Sequence, residues 1–294
     1  MKKIFALFMA VVLVGITMTA CSTNTKSSTG STTTSEVTGS ITAAGSSALA
    51  PLVQVAADNF QQLNPKASVN VSAGGSGTGL TQVANKSIDI GNSDVTAESK
   101  LTADQAATLK DHQICAIGVA AVVNSDVTVT NLSKQQLSDI FTGKITNWNQ
   151  VGGADEAITL ISRPESSGTR ALFKQYALDN AVESSNTALS SDDSGTLETN
   201  IASTKGSIGY LAFSYLVGKY DVKKMSIDGV APTLENVYNG SYPVWGTEHM
   251  YTNGDATGVT KAFLDYMGTD TFQTQMENLG YNVISKMTTA AGKH

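Results

Sequence analysis

Apolar positions change their period repeatedly along the chain. Residues 40–44 read as a short strand. Leu49, Val53, Ala56, Ala57 and Phe60 then recur at helical spacing, and Pro65 stands beyond the helix end. Residues 67–73 alternate as a half-buried strand does, residues 80–86 are helical, and 88–91 form a short strand. Residues 114–124 form a long strand, apolar as far as Val123, which predicts a strand covered on both faces, the habit of parallel strands. Further along, the pattern predicts helices at 134–141, 169–177, 197–203, 257–266 and 271–279. It predicts strands at 157–162 and 207–211, with an extended stretch at 244–251. Strands alternating with helices define an α/β protein with mostly parallel sheets. No internal repeat of 20–50 residues interrupts the pattern.

The first residues obey a different rule. Met1, Lys2 and Lys3 make a basic start, residues 4–19 are apolar, and small residues precede Cys21. That is the three-part pattern of a secretory signal, here residues 1–20, and its apolar run is short for a permanent membrane span. The string Met18-Thr19-Ala20-Cys21 resembles a bacterial lipobox, with Met18 where Leu is usual. The expectation is a cleaved chain lipidated on Cys21. Residues 21–39 are rich in Ser and Thr and nearly free of apolar side chains, which suits a flexible tether. Lipid, tether and folded part together describe an extracytoplasmic protein anchored at the cell membrane.

Composition narrows the function. The 294 residues allow about two domains, and 41% hydrophobic with 15% charged residues suits a packed core. A net charge of -6, near -8 once Lys2 and Lys3 are removed with the signal, argues against nucleic-acid binding. Three histidines and two cysteines leave no Cys/His metal cluster, so no metal and no cofactor are expected. Cys115, alone in the folded part, falls in an apolar run and reads as a core thiol. The only two arginines, Arg163 and Arg170, stand seven residues apart.

Candidate chemistry gathers in four loops that follow predicted strands. They are residues 44–49 (AGSSAL), 74–79 (GGSGTG), 90–94 (IGNSD) and 163–170 (RPESSGTR). Ligands of open α/β sheets bind outside the carboxyl ends of strands, where loops lead into helices. Free N–H groups at a helix start, hydroxyl donors and a glycine that lets a ligand approach suit an anion. Arg163 adds a planar fork of donors. Each Ser or Thr taken singly also reads as a helix cap. No loop carries the Gly-Lys-Ser/Thr of a Walker A motif. Gly-x-Ser-x-Gly is absent, and His112, His249 and His294 lie outside all four loops, so an enzyme is not expected.

Together the loops resemble the phosphate-binding proteins of bacterial phosphate ABC transporters. The matching motifs are Gly45-Ser46-Ser47, Gly75-Ser76-Gly77, Gly91-Asn92-Ser93-Asp94 and Arg163 to Thr169. The strings DIFTGKITNWNQVGG and GSIGYLAF also match, and the likeness spans roughly residues 40–280. The resemblance implies a type II periplasmic-binding-protein fold: two α/β lobes with the ligand in the cleft between them. Lobe I would hold residues 40–118 and 245–294, and lobe II residues 119–244, with crossovers near 117–123 and 243–251. It implies that Ser46, Ser47, Ala48, Ser76, Asp94, Arg163, Ser167, Gly168 and Thr169 bind the phosphate. Most would act as donors, the Ala48 backbone N–H among them, and Asp94 would accept a proton carried by the ligand. A side chain differs from some relatives at Ala48, which a backbone contact tolerates. Glu165 would tune the arginine, and Arg170 is either a structural helix-start residue or a further contact. The implied partners are inorganic phosphate, the permease and ATPase subunits of an ABC importer, and the membrane through the lipid, for a monomeric protein. Binding of sulfate, molybdate or arsenate, action on phosphate esters, and a sensory or adhesive lipoprotein are the alternatives.

Overall fold

The computed structural model describes residues 36–185, 187, 189–218 and 221–289. The signal segment, Cys21 and the tether as far as residue 35 lie outside the described residues.

Among the described residues the strands are β1 (Gly39–Gly45), β2 (Ala67–Ala73), β3 (Ile90–Ser93), β4 (Leu109–Asn124), β5 (Asn131–Leu132), β6 (Thr159–Ser162), β7 (Leu189–Ser190), β8 (Ser207–Ala212), β9 (Val222–Lys224), β10 (Ser226–Ile227) and β11 (Trp245–Asn253). The helices are α1 (Ala50–Leu63), α2 (Ser76–Ala84), α3 (Ala103–Ala107), α4 (Lys134–Phe141), α5 (Gly168–Ala177), α6 (Ser194–Ser203), α7 (Leu234–Tyr238), α8 (Gly258–Met267) and α9 (Asp270–Met276). One large sheet runs in the order β2-β1-β3-β11-β4-β8-β6-β7, with β9 also on β4, while β10 and β5 form a separate pair. The β1–β2, β1–β3, β6–β8 and β6–β7 ladders are parallel.

Strand β4 is the axis of this sheet. Its residues 109–118 pair with β11, and the pairing passes at Val119 to β8 and then β9. Every residue from Cys115 to Asn124 is buried, as the apolar run predicts. The predicted parallel neighbours are not found, because β11, β8 and β9 all run antiparallel to β4. A fully apolar run reports that both faces are covered; strand direction is set by the connections and leaves no such mark.

Local signals place most helix ends. Ser133 and Gln136 form a reciprocal capping box that starts α4. Thr269 caps α9 and Asp193 caps α6 through their side chains. Beneath α4 and α5, Phe173 stacks on Tyr210 at 4.5 Å between centroids and meets Phe141 edge-on at 5.0 Å. Two predicted helices begin late by comparison with the structure: α2 starts at Ser76 rather than 80 and α6 at Ser194 rather than 197. Their first turns are Ser, Gly and Thr, which carry no hydrophobic period. Helices α3 and α7 and the short strands β5, β7, β9 and β10 span too few residues for periodicity to register.

Candidate anion-binding site

Five strand ends deliver the site. Ser46 and Ser47 follow β1, Ser76 follows β2 after two glycines, Asp94 follows β3, Arg163 follows β6, and Ser194 follows β7. Four of these loops run straight into the N-termini of α1, α2, α5 and α6. The partial positive ends of helices therefore face the same place as the hydroxyls.

Arg163 is buried, and its guanidinium is spread over several acceptors. One terminal nitrogen donates to Ser194 Oγ at 3.0 Å. The other donates to Ser47 Oγ at 2.8 Å and to the Asp192 carbonyl at 2.6 Å. The Asp192 carboxylate stands 3.6 Å away. Ser47 and Ser194 are themselves 2.8 Å apart, so residues from both halves of the sequence close on this group. Arg163 Nε has no hydrogen-bond partner within the protein.

Asp94 is the second centre, buried and acidic. Its carboxylate accepts from Ser46 Oγ, from Ser76 Oγ at 3.3 Å and from Thr169 Oγ1 at 2.7 Å. Its backbone N–H also donates to Ser76 Oγ at 3.0 Å. Ser46 serves twice, because its oxygen also accepts the Leu49 N–H at 3.0 Å.

Two glycines permit this crowding. Gly168 begins α5, and a Cβ there would overlap Ser76 Oγ and press on Asp94 Cβ at 2.9 Å. Gly75 adopts φ +86, open to glycine at little cost, and any side chain would run into the Asp192 carboxylate. Across the same seam the Gly77 N–H donates to the Ser166 carbonyl at 2.9 Å.

Each expected site residue can now be located. Ser46, Ser47, Ser76, Asp94, Arg163 and Thr169 join one hydrogen-bonded cluster, and Gly168 packs against it. Ser167 caps α5 by accepting the Arg170 N–H at 3.2 Å. Ala48 is fully buried, and its carbonyl accepts from Ser214 Oγ at 2.9 Å and Tyr281 Oη at 2.5 Å. Arg170 donates to the Arg163 carbonyl at 2.8 Å and pairs with Glu165 at 3.2 Å and Glu183 at 3.4 Å. It supports the site residue from behind. Among the described residues no three His, Cys, Asp or Glu side chains cluster so as to hold a metal ion.

Sequence reading missed Asp192, Ser194 and Lys100. Lys100 donates to the Glu165 carbonyl at 2.6 Å, and burial lowers its pKa while Glu165 opposes that shift. A signal for Ser194 was present. Ser-Gly-Thr occurs three times, as Ser76-Gly77-Thr78, Ser167-Gly168-Thr169 and Ser194-Gly195-Thr196, each time at a helix start. Asp192 contacts Arg163 partly through its carbonyl, which no side-chain pattern reveals.

The arrangement is rich in donors around one buried acceptor. It suits a small oxyanion, and the acceptor suits an oxyanion that carries a proton.

Comparison with known proteins places this fold in a family. A family model described as the PBP superfamily domain matches residues 29–271. Phosphate-binding protein PstS of Bacillus subtilis is 50% identical over 248 residues, covering 84% of this chain and 81% of that protein. A Clostridium perfringens structure assigned as a phosphate ABC transporter substrate-binding protein, solved with bound phosphate, superposes with a TM-score of 0.76 at 27% identity. It covers 84% of this chain and 100% of the other. An ABC-type phosphate transport receptor from Vibrio cholerae gives a TM-score of 0.66 at 27% identity, covering 83% and 99%. The fold and its strand-end site define an α/β binding protein. The chain belongs to the PBP superfamily, on the branch that holds the PstS phosphate-binding proteins.

The contact at Gly168 yields a test. Gly168→Ala should destabilise the protein by about 1–3 kcal/mol, since Ser76 and Asp94 must move to admit a methyl group. Urea unfolding measures this as a lower midpoint at unchanged slope. A variant as stable as the parent would show that the seam is looser than described.

Proposed function

We propose that this protein captures inorganic phosphate outside the cytoplasm and delivers it to the permease and ATPase of an ABC importer. The observation that carries this function is Asp94, a buried carboxylate set among the donors that would hold an anion. A carboxylate facing a fully deprotonated oxyanion is repulsive. Facing hydrogen phosphate it accepts the ligand's proton, and that difference rejects sulfate. The relatives named above are phosphate-binding proteins, which supports the same ligand.

In this function Arg163 supplies the permanent charge, and Ser47, Ser76, Ser167 and Thr169 add hydroxyls. Ala48 and Gly168 contribute backbone N–H groups at helix starts, while Ser46 holds Asp94. Ser194 joins them from α6. Residues 40–118 with 245–294 form one lobe and residues 119–244 the other. Ligand contacts from both lobes then favour the closed state, because only that state makes them all. Binding and handover require no chemistry on the ligand. Lipid on Cys21 anchors the protein at the outer face of the membrane; among the described residues no helix is long and apolar enough to cross one.

Arg163→Ala should weaken phosphate binding by about 30- to 5,000-fold in calorimetry, and Arg163→Lys should restore only part of it. Binding within threefold of the parent would remove Arg163 from the site.

Asp94→Asn keeps the shape and can present an N–H. The parent should ignore sulfate, whereas this variant should gain measurable sulfate binding and lose less phosphate affinity than Arg163→Ala. Competition of sulfate against labelled phosphate decides it, and identical selectivity in both proteins would refute the role of Asp94.

Cys21→Ala should release the protein from the membrane or leave it unprocessed, as fractionation and mass measurement would show. A processed variant that stays stably bound would dismiss the anchor.

A further inference from the structure

Behind the site lies a carboxyl group that none of these contacts uses. Glu248 is on β11. His249 pairs with Ser93 across the β11–β3 ladder, so Glu248 and Asp94 are the next residues along the two antiparallel chains. On its other edge Glu248 stands opposite Cys115 of β4, and the β11–β4 register slips between Glu248 and His249. The side chain is 0% exposed, no donor reaches either carboxyl oxygen, and the side-chain group it meets in hydrogen-bonding contact is the Asp94 carboxylate. Burial first and the Asp94 carboxylate second hold its pKa well above the usual carboxylate range. The other titratable groups acting here are the Cys115 thiol from β4 and the Tyr281 phenol from the segment after α9. Burial pushes both upward, so both are neutral. None of these neighbours is a cation that could offset a second negative charge.

On the phosphate function set out above, we propose that Glu248 is a positioning residue of the anion site. It is a neutral carboxyl that backs Asp94 and keeps the two carboxyl groups at a single negative charge. Asp94 is then the group that meets the ligand's proton, gripped by hydroxyls on its outer side and by the Glu248 O–H from the sheet. Two adjacent carboxyl groups sharing one proton is a known solution to close like charges. If Glu248 loses its proton, the pair repels at short range inside a poorly solvated interior. Asp94 must then move away from it, and that displacement ends its role as acceptor. Once past its second ionisation near neutrality, phosphate keeps one proton through the alkaline range, so a further fall in affinity there belongs to the protein.

Stability is linked to the same proton. The folded pKa is raised, so the folded state holds a proton that the unfolded chain releases near 4.5. This contribution to stability is complete below that value and is lost as pH rises toward the raised folded value.

The test compares the full-length parent, Glu248→Gln and Glu248→Leu by phosphate calorimetry from neutral to alkaline pH, with infrared difference spectra of each. Glu248→Leu removes the donor and should lose about ten- to a hundredfold in affinity at neutral pH. Glu248→Gln keeps an N–H donor, so it should recover most of that loss and show a flatter alkaline limb than the parent. The infrared spectrum of the parent at neutral pH should contain a protonated-carboxyl stretch that both variants lack. A Gln variant with the parent's alkaline limb, or a parent without that band, would overturn the proposal. A parent that fails to bind phosphate at neutral pH would instead overturn the phosphate function, and the infrared band would still report on Glu248.

Discussion

A guanidinium buried as deeply as Arg163, 1% exposed along its side chain, dictates much of what surrounds it. An isolated buried charge is prohibitively costly, so acceptors must be brought to it. They come from far away in sequence: Ser47 after β1, Ser194 at the start of α6, and Asp192 between β7 and α6. The strand ends must therefore converge, which a sheet with its parallel strands side by side accomplishes. A further set of contacts fixes Arg163 from below. Arg170 binds its carbonyl and pairs with buried Glu183, which accepts in turn from Ser162 on β6 and from Tyr210 on β8 at 3.2 Å. Arg170 thus has its charge matched by two carboxylates, while Arg163 faces one, at 3.6 Å. Two arginines seven residues apart do unlike work because one pairs with two carboxylates and the other donates to two hydroxyls and a backbone carbonyl.

This convergence explains why the site is built from the smallest polar residues. Ser and Thr bring a donor at the end of one rotatable bond, so ordering them costs little conformational entropy. Gly brings the backbone N–H itself to the surface of the site. At Gly168 the two demands meet: the first turn of α5 touches Ser76 and Asp94, and even one methyl group would separate them. The repeated Ser-Gly-Thr string is this requirement written three times, at α2, α5 and α6.

Much of this is legible in the sequence. The long strand, the helix at Lys134–Phe141 and the strand-to-helix loops follow from periodicity and caps. Asp94 and Arg163 stood out because a lone carboxylate and the chain's only arginines are conspicuous among Gly and Ser. Three kinds of feature were not legible. The antiparallel pairing of β4 depends on which strands return beside it, and that is a property of the whole chain. Asp192 acts partly through its carbonyl, which every residue possesses. Glu248 looked like any acidic residue in an extended stretch; only the ladder with β3 brings it beside Asp94.

Affinity and selectivity in such a site have separate physical sources. Arg163 carries one positive charge, but Asp94 carries a negative one and Asp192 stands 3.6 Å from the guanidinium. These three charges sum to one negative, so net charge at the site does not attract an anion. The attraction comes from dipoles gathered by the fold: N–H groups at helix starts and hydroxyls that exchange their contacts with one another for contacts with the ligand. Dipoles of that kind bind any small oxyanion of suitable size. Discrimination needs a group that penalises the wrong ligand more than it helps the right one. A carboxylate does so only while it stays an acceptor. Its oxygens must be held by donors that leave room for one more proton, and no second negative charge can sit behind it. Ser46, Ser76 and Thr169 meet the first condition from three different elements. The second is a condition on the interior of the sheet, and a carboxyl group that keeps its proton there satisfies it without adding a cation to the core.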